Sequence, residues 1–435
     1  MNKLIQTIKN IFKIEELRKR IVYTLLLLII YRLGSFVVLP GINAELLAKG
    51  SELASNSQEG LMGLLNMFSG GAFGNASIFA LGVMPYISAS IVIQLLGIFV
   101  PYFRRLQMEG ESGRRKMNQY TRYLTIVIVL IQGFAYMKAL PSQVGPEVFA
   151  YEALGMSTFM FNLVSVALLL GGTMFVMWLG ERITDRGVGN GISLIIMIGI
   201  IARLPHALIG EITMNGNPLA IIVELVVLFF IFIAAIALVQ AVRKVPVQYA
   251  KRVIGNKQYG GVRQYIPMKM NAAGVMPIIF AQALMMIPML IPGLGFMNDY
   301  TGFWYNFTFA LLVIAFTYFY TAVTINPTMM AEEMRKNNGF VPGVKPGRKT
   351  AEYLDSIMSR VTLPGSIFLA LIAILPAFAT KLGVQPNFAS FFGGTSLLIL
   401  VGVVLDTLQQ IESHLLMRHY DGLMKTGRLK GRSGM

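Results

Sequence analysis

The chain has 435 residues, 55% of them hydrophobic and only 13% charged, with a mean hydropathy of +0.63 and a formal net charge of +16. Long apolar runs recur along its length, which excludes a soluble globular core and indicates a polytopic membrane protein. The absence of cysteine excludes disulfides, thiol catalysis and thiolate-bound metal, and His414 and His419, five residues apart, do not share a helix face as a ligand pair would.

In chain order, Lys3 to Arg20 places Leu4, Ile5, Ile8, Ile11, Phe12 and Leu17 on one helix face, so residues 1–20 read as an amphipathic helix lying on the membrane surface or against a partner. A first span is expected at 21–38. A half-length membrane segment follows, Leu61 to Asn75, interrupted by Gly70, Gly71 and Gly74. A spanning helix needs about 20 apolar residues, so this piece enters without crossing. Non-helical backbone at membrane depth is tolerable only inside protein or beside a water-filled cavity. The segment therefore implies a cavity.

Further spans are expected at 76–100, 122–140, 157–179, 190–204, 219–242, 273–291, 304–325, 361–379 and 395–417, ten crossings that return both termini to one side. Of the 37 Lys and Arg, only Arg32, Lys49, Lys138, Arg203 and Lys381 fall in spans or in the alternate loops. The others crowd into 1–20, 101–122, 180–189, 243–272, 326–360 and the basic tail 418–435, which marks these as cytoplasmic. The two large loops, 243–272 and 326–360, carry Gly and Pro punctuation and read as structured protrusions suited to docking. A break at 205–218 acts as an external hinge between an N-terminal half, 21–204, and a C-terminal half, 219–417. Five spans in each half make the second run opposite to the first, as in inverted-repeat transport proteins with a pathway between the halves.

Chemistry is sparse. GVKPGRKT, Gly343 to Thr350, departs from a phosphate loop, with three residues between its glycines and Arg348 before Lys349. It reads better as a Pro-Gly turn presenting cations. No nucleophile, metal or acid-pair constellation appears, so neither enzyme activity nor a cofactor is expected. Arg32, Glu224 and Asp406 lie inside expected spans, where a charge is costly and is as often functional as structural. They keep open a secondary transporter of a small solute. Val83 and Ile87, four apart, and Ile279 and Ile287, eight apart, each share a helix face and would suit a hydrophobic constriction, although such spacings abound in apolar helices.

The wording of several blocks adds to this reading. NMFSGGAFGNASIFALGVMPYISASIVIQLL (Asn66 to Leu96), LGERITDRGVGNGIS (Leu179 to Ser193), VPVQYAKR (Val245 to Arg252), FVPGVKPG (Phe340 to Gly347) and GGTSLLILVGVVLD (Gly393 to Asp406) resemble the bacterial SecY family, channel subunits of the Sec protein translocon. The resemblance implies an all-α membrane fold of ten helices in two inverted five-helix halves around a central pore, closed by a re-entrant plug half-helix. The plug falls at 61–74, on Leu61, Leu64, Leu65, Asn66, Met67, Phe68, Ser69, Gly70, Gly71 and Gly74. The family's pore ring carries over to Val83, Ile87, Ile196, Ile279, Ile287 and Ile399, and its lateral gate lies near Gln94, Gln132 and Gln282.

Arg243, Lys244, Lys251 and Arg252 in the first loop and Lys345, Arg348 and Lys349 in the second fall where the family docks the SecA motor ATPase and the ribosome. Lys345 stands where the family pattern has Arg, replacing a bidentate fork by a point charge. Implied partners also include SecE-like and SecG-like small membrane subunits, anionic lipid, and unfolded secretory and membrane-protein chains. The implied location is the bacterial plasma membrane.

Overall fold

The apolar segments are helical in the computed structural model, which describes residues 14–43, 46–47, 66, 69–144, 149, 157–215, 218–249, 252–254, 257–259, 263–289 and 301–425. Among the described residues, seven helices are long and apolar enough to cross a membrane, or eight if one bent pair counts as a single span. Helices α1 (Glu15–Gly34) and α8 (Met276–Met289) occupy the places of the other two expected spans. The chain divides into two compact units, residues 1–206 with 403–435, and residues 207–402.

In the first unit, α1 opens with Glu15 and Glu16, which pair one turn later with Lys19 at 2.8 Å and Arg20 at 3.6 Å. Helix α2 (Met84–Phe99) is followed at a 100° bend by α3 (Pro101–Met108). Pro101 explains the break, because it has no N–H and forces the preceding Val100 into extended backbone, ψ 118. Then come α4 (Glu111–Val144), α5 (Thr158–Arg186) and α6 (Gly191–Asn215). Helix α4 packs on α2 and α5, and α1 packs on α5.

Two expectations change here. The second span does not start at Ala76: residues 76–83 form turns, and the helix begins only at Met84. Ala76 at φ +44 and Gly82 at φ +52 lie in the left-handed region, which a right-handed helix cannot include. The external hinge at 205–218 is also largely helix, since α6 continues through Pro205 to Asn215.

The second unit takes the end of α6 and then α7 (Pro218–Gln240), whose mean hydropathy reaches 3.2 while 11% of that window is buried within the protein, as suits a helix facing lipid. Helix α9 (Phe303–Thr324) packs on α8 and α11 (Arg348–Lys381), and α10 (Pro327–Lys336) packs on α11. Asn326 caps α10 by accepting from the N–H groups of Thr328 at 3.1 Å and Met329 at 3.3 Å. The expected span at 361–379 is the later part of α11. After the short α12 (Pro386–Ala389) comes α13 (Gly394–Lys425), which belongs to this unit up to Gly402 and to the first beyond it.

The two loops expected as separate protrusions join in one sheet. Strand β1 (Val242–Tyr249) pairs antiparallel with β4 (Arg263–Lys269) along one side and with β5 (Gly339–Phe340) on the other. A separate hairpin, β2 (Arg252–Ile254) and β3 (Lys257–Tyr259), lies between β1 and β4 in sequence. Strand β5 reaches only Gln248 and Tyr249, so Pro246 interrupts no ladder on that side. Val245 and Val247 alternate inward onto Met268, Met334, Val341, Leu354 and Met358.

Candidate functional site

The described part of the half-length segment is Asn66, which is helical, and residues 69–75, the start of a chain of turns that runs on to Val83 in the first unit. Its shape starts with glycine. Gly70 and Gly71 adopt φ +66 and φ +93, and a Cβ added at Gly70 would fall 2.8 Å from Gly199 Cα on α6. Asn66 organises the turn, its carbonyl accepting from Gly71 N–H at 2.8 Å and its Oδ1 from Gly74 N–H at 2.9 Å. Ser69 Oγ accepts from Phe73 N–H at 3.0 Å.

Three side chains of the unit donate to carbonyl oxygens of this turn. Tyr31 Oη donates to Ser69 at 3.3 Å, Arg32 Nη1 to Gly70 at 2.6 Å, and Tyr136 Oη to Phe73 at 2.8 Å. Further along, Leu39 N–H donates to Ala76 O and Ile78 N–H to Val37 O, each at 2.9 Å, which clamps the turn by main chain. Phe73 packs on Tyr136 at 4.7 Å between ring centres, within a cluster that includes Leu39, Ala76, Val129, Leu140 and Leu169. The polar backbone of this non-helical stretch is thus satisfied from inside the protein. Leu61, Leu64, Leu65, Met67 and Phe68 lie outside the described residues. Asn66 is helical and Ser69, Gly70, Gly71 and Gly74 follow it in turns; the rest of the expected half-helix lies outside the described residues.

Among the ring residues, Val83 is buried at the start of α2, Ile87 lies one turn on and is half-buried, and Ile196 on α6 is buried. Ile279 on α8 is half-buried and Ile399 on α13 is buried. The Ile287 side chain is outside the described residues. The first three belong to the first unit and the others to the second. Gln94, Gln132 and Gln282 are half-buried on α2, α4 and α8, and Gln94 Nε2 donates to Ser90 Oγ at 3.2 Å within its own helix.

The charges flagged in spans resolve differently. Arg32 donates to a main-chain carbonyl and stacks 4.9 Å from the Phe36 ring centre. Asp406 lies near the middle of the candidate span Gly394–Leu415, exposed on the protein surface, and accepts from Gln410 at 3.3 Å. Glu224 is half-buried, and the fully buried acid of this unit is Glu211, which sequence reading missed. Its Oε2 accepts from Gln385 N–H at 2.9 Å.

On the sheet, Arg243 and Lys244 are exposed on β1, while Lys251 and the Arg252 side chain lie outside the described residues. Lys345, Arg348 and Lys349 are exposed at the head of α11. Glu352 draws two of them in, Arg348 Nε at 3.2 Å and Lys349 Nζ at 2.9 Å. The Lys349 hydrogen bond, with the Lys349 charge behind it, holds the Glu352 carboxyl below the usual carboxylate range, and the same pair raises Lys349. Arg348 therefore does not stand free as the fork that Lys345 lacks. Sequence reading also missed the bidentate pair of Arg122 with Glu181, at 3.0 and 2.7 Å, joining α4 to α5. Among the described residues, no group of three or more His, Cys, Asp or Glu could hold a metal ion.

The SecY family model matches residues 77–408. The protein translocase subunit SecY of Halalkalibacterium halodurans is 44% identical over 443 residues, which cover 97% of this chain and 100% of that one. Two solved structures share the fold at 16% identity with 91% of each chain covered. One, with a TM-score of 0.63, is a protein conducting channel; the other, at 0.60, is a SecY whose plug domain stabilises the closed state of the translocation channel and maintains a membrane seal.

Proposed function

The chain belongs to the SecY family, and from that premise we propose that it is the channel subunit of a protein translocase, passing unfolded secretory chains across the plasma membrane and releasing transmembrane segments sideways into lipid. The observation that carries this reading is the glycine-rich turn at 69–83, a non-helical stretch between apolar helices that is held by donors from three of its own unit's side chains. Its residues 69–74, with Asn66, are the described part of the plug. The alternative of a small-solute transporter falls away with family membership.

Val83, Ile87, Ile196, Ile279, Ile287 and Ile399 form the ring that seals around the passing chain. Aliphatic side chains suit this task because they offer no fixed hydrogen-bond partner to any one substrate, so sealing and promiscuity coexist. Gln94, Gln132 and Gln282 mark the lateral gate. The sheet of β1, β4 and β5, with the head of α11, receives the SecA motor or the ribosome through Arg243, Lys244 and Lys345. SecE-like and SecG-like subunits and anionic lipid complete the assembly, and both termini face the cytoplasm.

The ring is tested by replacing Ile87 and Ile279 with Gly in the assembled translocase and recording ion conductance in planar bilayers. Closed-state leak should rise. An unchanged leak removes the ring.

A further inference from the structure

We infer that Arg32, assisted by Tyr31, is a positioning residue that seats the Ser69–Gly71 turn and so sets how tightly the channel closes; the inference rests on reading this turn as part of the plug. The turn is held at its two ends by different means. Downstream, main chain pairs with main chain: Leu39 with Ala76 and Ile78 with Val37 bracket the facing residues Val38 and Ser77, and Ala76 and Ser77 are fully buried. Phe73 sits in the apolar cluster beside Tyr136. That end is built like a core.

Upstream, Ser69 and Gly70 meet the rest of the unit through Tyr31 Oη at 3.3 Å and Arg32 Nη1 at 2.6 Å. A charged donor makes the stronger bond. Among the described residues, the Arg32 side chain otherwise meets Ser35 Oγ at 3.5 Å and the Phe36 ring, both within one turn of its own helix end, and the like charge of Arg203 is near enough to interact with it. Its strongest acceptor therefore belongs to the turn. A carboxylate fixed on a neighbouring helix would neutralise the guanidinium in every state of the channel. A carbonyl on the turn leaves the charge in place and satisfies its N–H only while the turn is seated.

Seating is also a steric fit at one residue. An added Cβ at Gly70 meets Gly199, whereas at Gly71 it meets nothing within 4 Å. Gly70→Ala, whose Cβ would lie 2.8 Å from Gly199 Cα and 3.2 Å from Arg32 Nη1, thus crowds the seat sterically while leaving the guanidinium in the chain.

The test uses the full chain assembled with its membrane partners, in planar bilayers, and its lack of cysteine makes a cross-link unambiguous. Arg32→Gln should raise closed-state conductance about tenfold, as expected for one lost charge-assisted hydrogen bond, with Arg32→Lys between it and the parent and with parental protein abundance. Gly70→Ala should leak likewise. Oxidised Val38→Cys with Ser77→Cys should seal and transport as the parent does, because facing residues at such a bridge come close enough for a disulfide. Parental conductance in Arg32→Gln overturns the inference, as does loss of transport in the cross-linked protein. If Arg32→Gln does not accumulate, Gly70→Ala decides, a leak supporting the seat and parental sealing overturning it. Deleting Asn66 to Gly74 separates the two readings. A leaky deletion beside a tight Arg32→Gln removes the seat alone, and a tight deletion removes the plug as well.

Discussion

Tyr136→Phe removes one oxygen from the channel and leaves the ring. Tyr136 is 4% exposed, and its hydroxyl donates to the Phe73 carbonyl at 2.8 Å. That carbonyl also accepts from Ala76 N–H at 3.3 Å, so losing the hydroxyl weakens its hydrogen bonding without orphaning it. The cost should sit at the ordinary net value of a neutral hydrogen bond, about 1 kcal/mol, rather than at the full desolvation penalty of an unpaired group. The ring contact at 4.7 Å survives the change. A loss of about 1 kcal/mol shifts a two-state equilibrium roughly fivefold, so closed-state conductance in planar bilayers should rise by about that factor. Tyr136→Ala, which also opens a cavity worth about 3–5 kcal/mol, should leak more and lower the thermal midpoint in detergent. If Tyr136→Phe is silent while Tyr136→Ala leaks, the ring holds the turn and the hydroxyl does not. If both are silent, Tyr136 has no part in seating it.

Two predictions concern the sheet and α11. Reversing charge at Lys345 and Arg348 should weaken motor-driven transport more than membrane insertion or abundance, and an equal loss of abundance would point to a folding role. Glu352→Gln should release Arg348 and Lys349, strengthening a salt-sensitive association with an acidic partner while leaving the thermal midpoint close to the parent's, since exposed pairs contribute little. The Glu352 carboxyl is lowered in the folded protein, so its tie to Lys349 is complete above the ordinary carboxylate pKa of about 4.3 and fades only as pH falls through the lowered value. Docking strength should therefore stay flat between about pH 7 and pH 5 in the parent, and a carboxyl titration at ordinary pKa would contradict the pairing.

Most of the helical layout could be read from sequence because apolar length alone decides it. A run such as Pro218 to Gln240 has little freedom once backbone groups must be satisfied within the segment. The errors fell where length is silent. Ala76 to Val83 is apolar enough to extend α2, but its main chain is already committed to Val37 and Leu39, a contact fixed by tertiary structure. Pro205 looked like an end, yet α6 runs through it, as Pro-interrupted membrane helices can when neighbouring groups re-satisfy the freed backbone. The joining of β1 with β5 needed a pairing between strands some 90 residues apart, and a two-residue strand, Gly339–Phe340, has no period to detect.

The seat of the turn was hidden for a different reason. Sequence reading of a buried Arg looks for an acidic side chain, because a charge in a membrane usually pairs with a charge. Arg32 instead pairs with a carbonyl, and every residue of the chain carries one. No pattern of residue types can single out Gly70 O as the acceptor. What the sequence does show is the complementary condition, Gly70 itself, since only glycine allows φ +66 together with a close approach to Gly199. A lone arginine in one span and a glycine pair in the interrupted segment after it are two halves of one arrangement. Their relation becomes visible only when the main chain between them has been folded back.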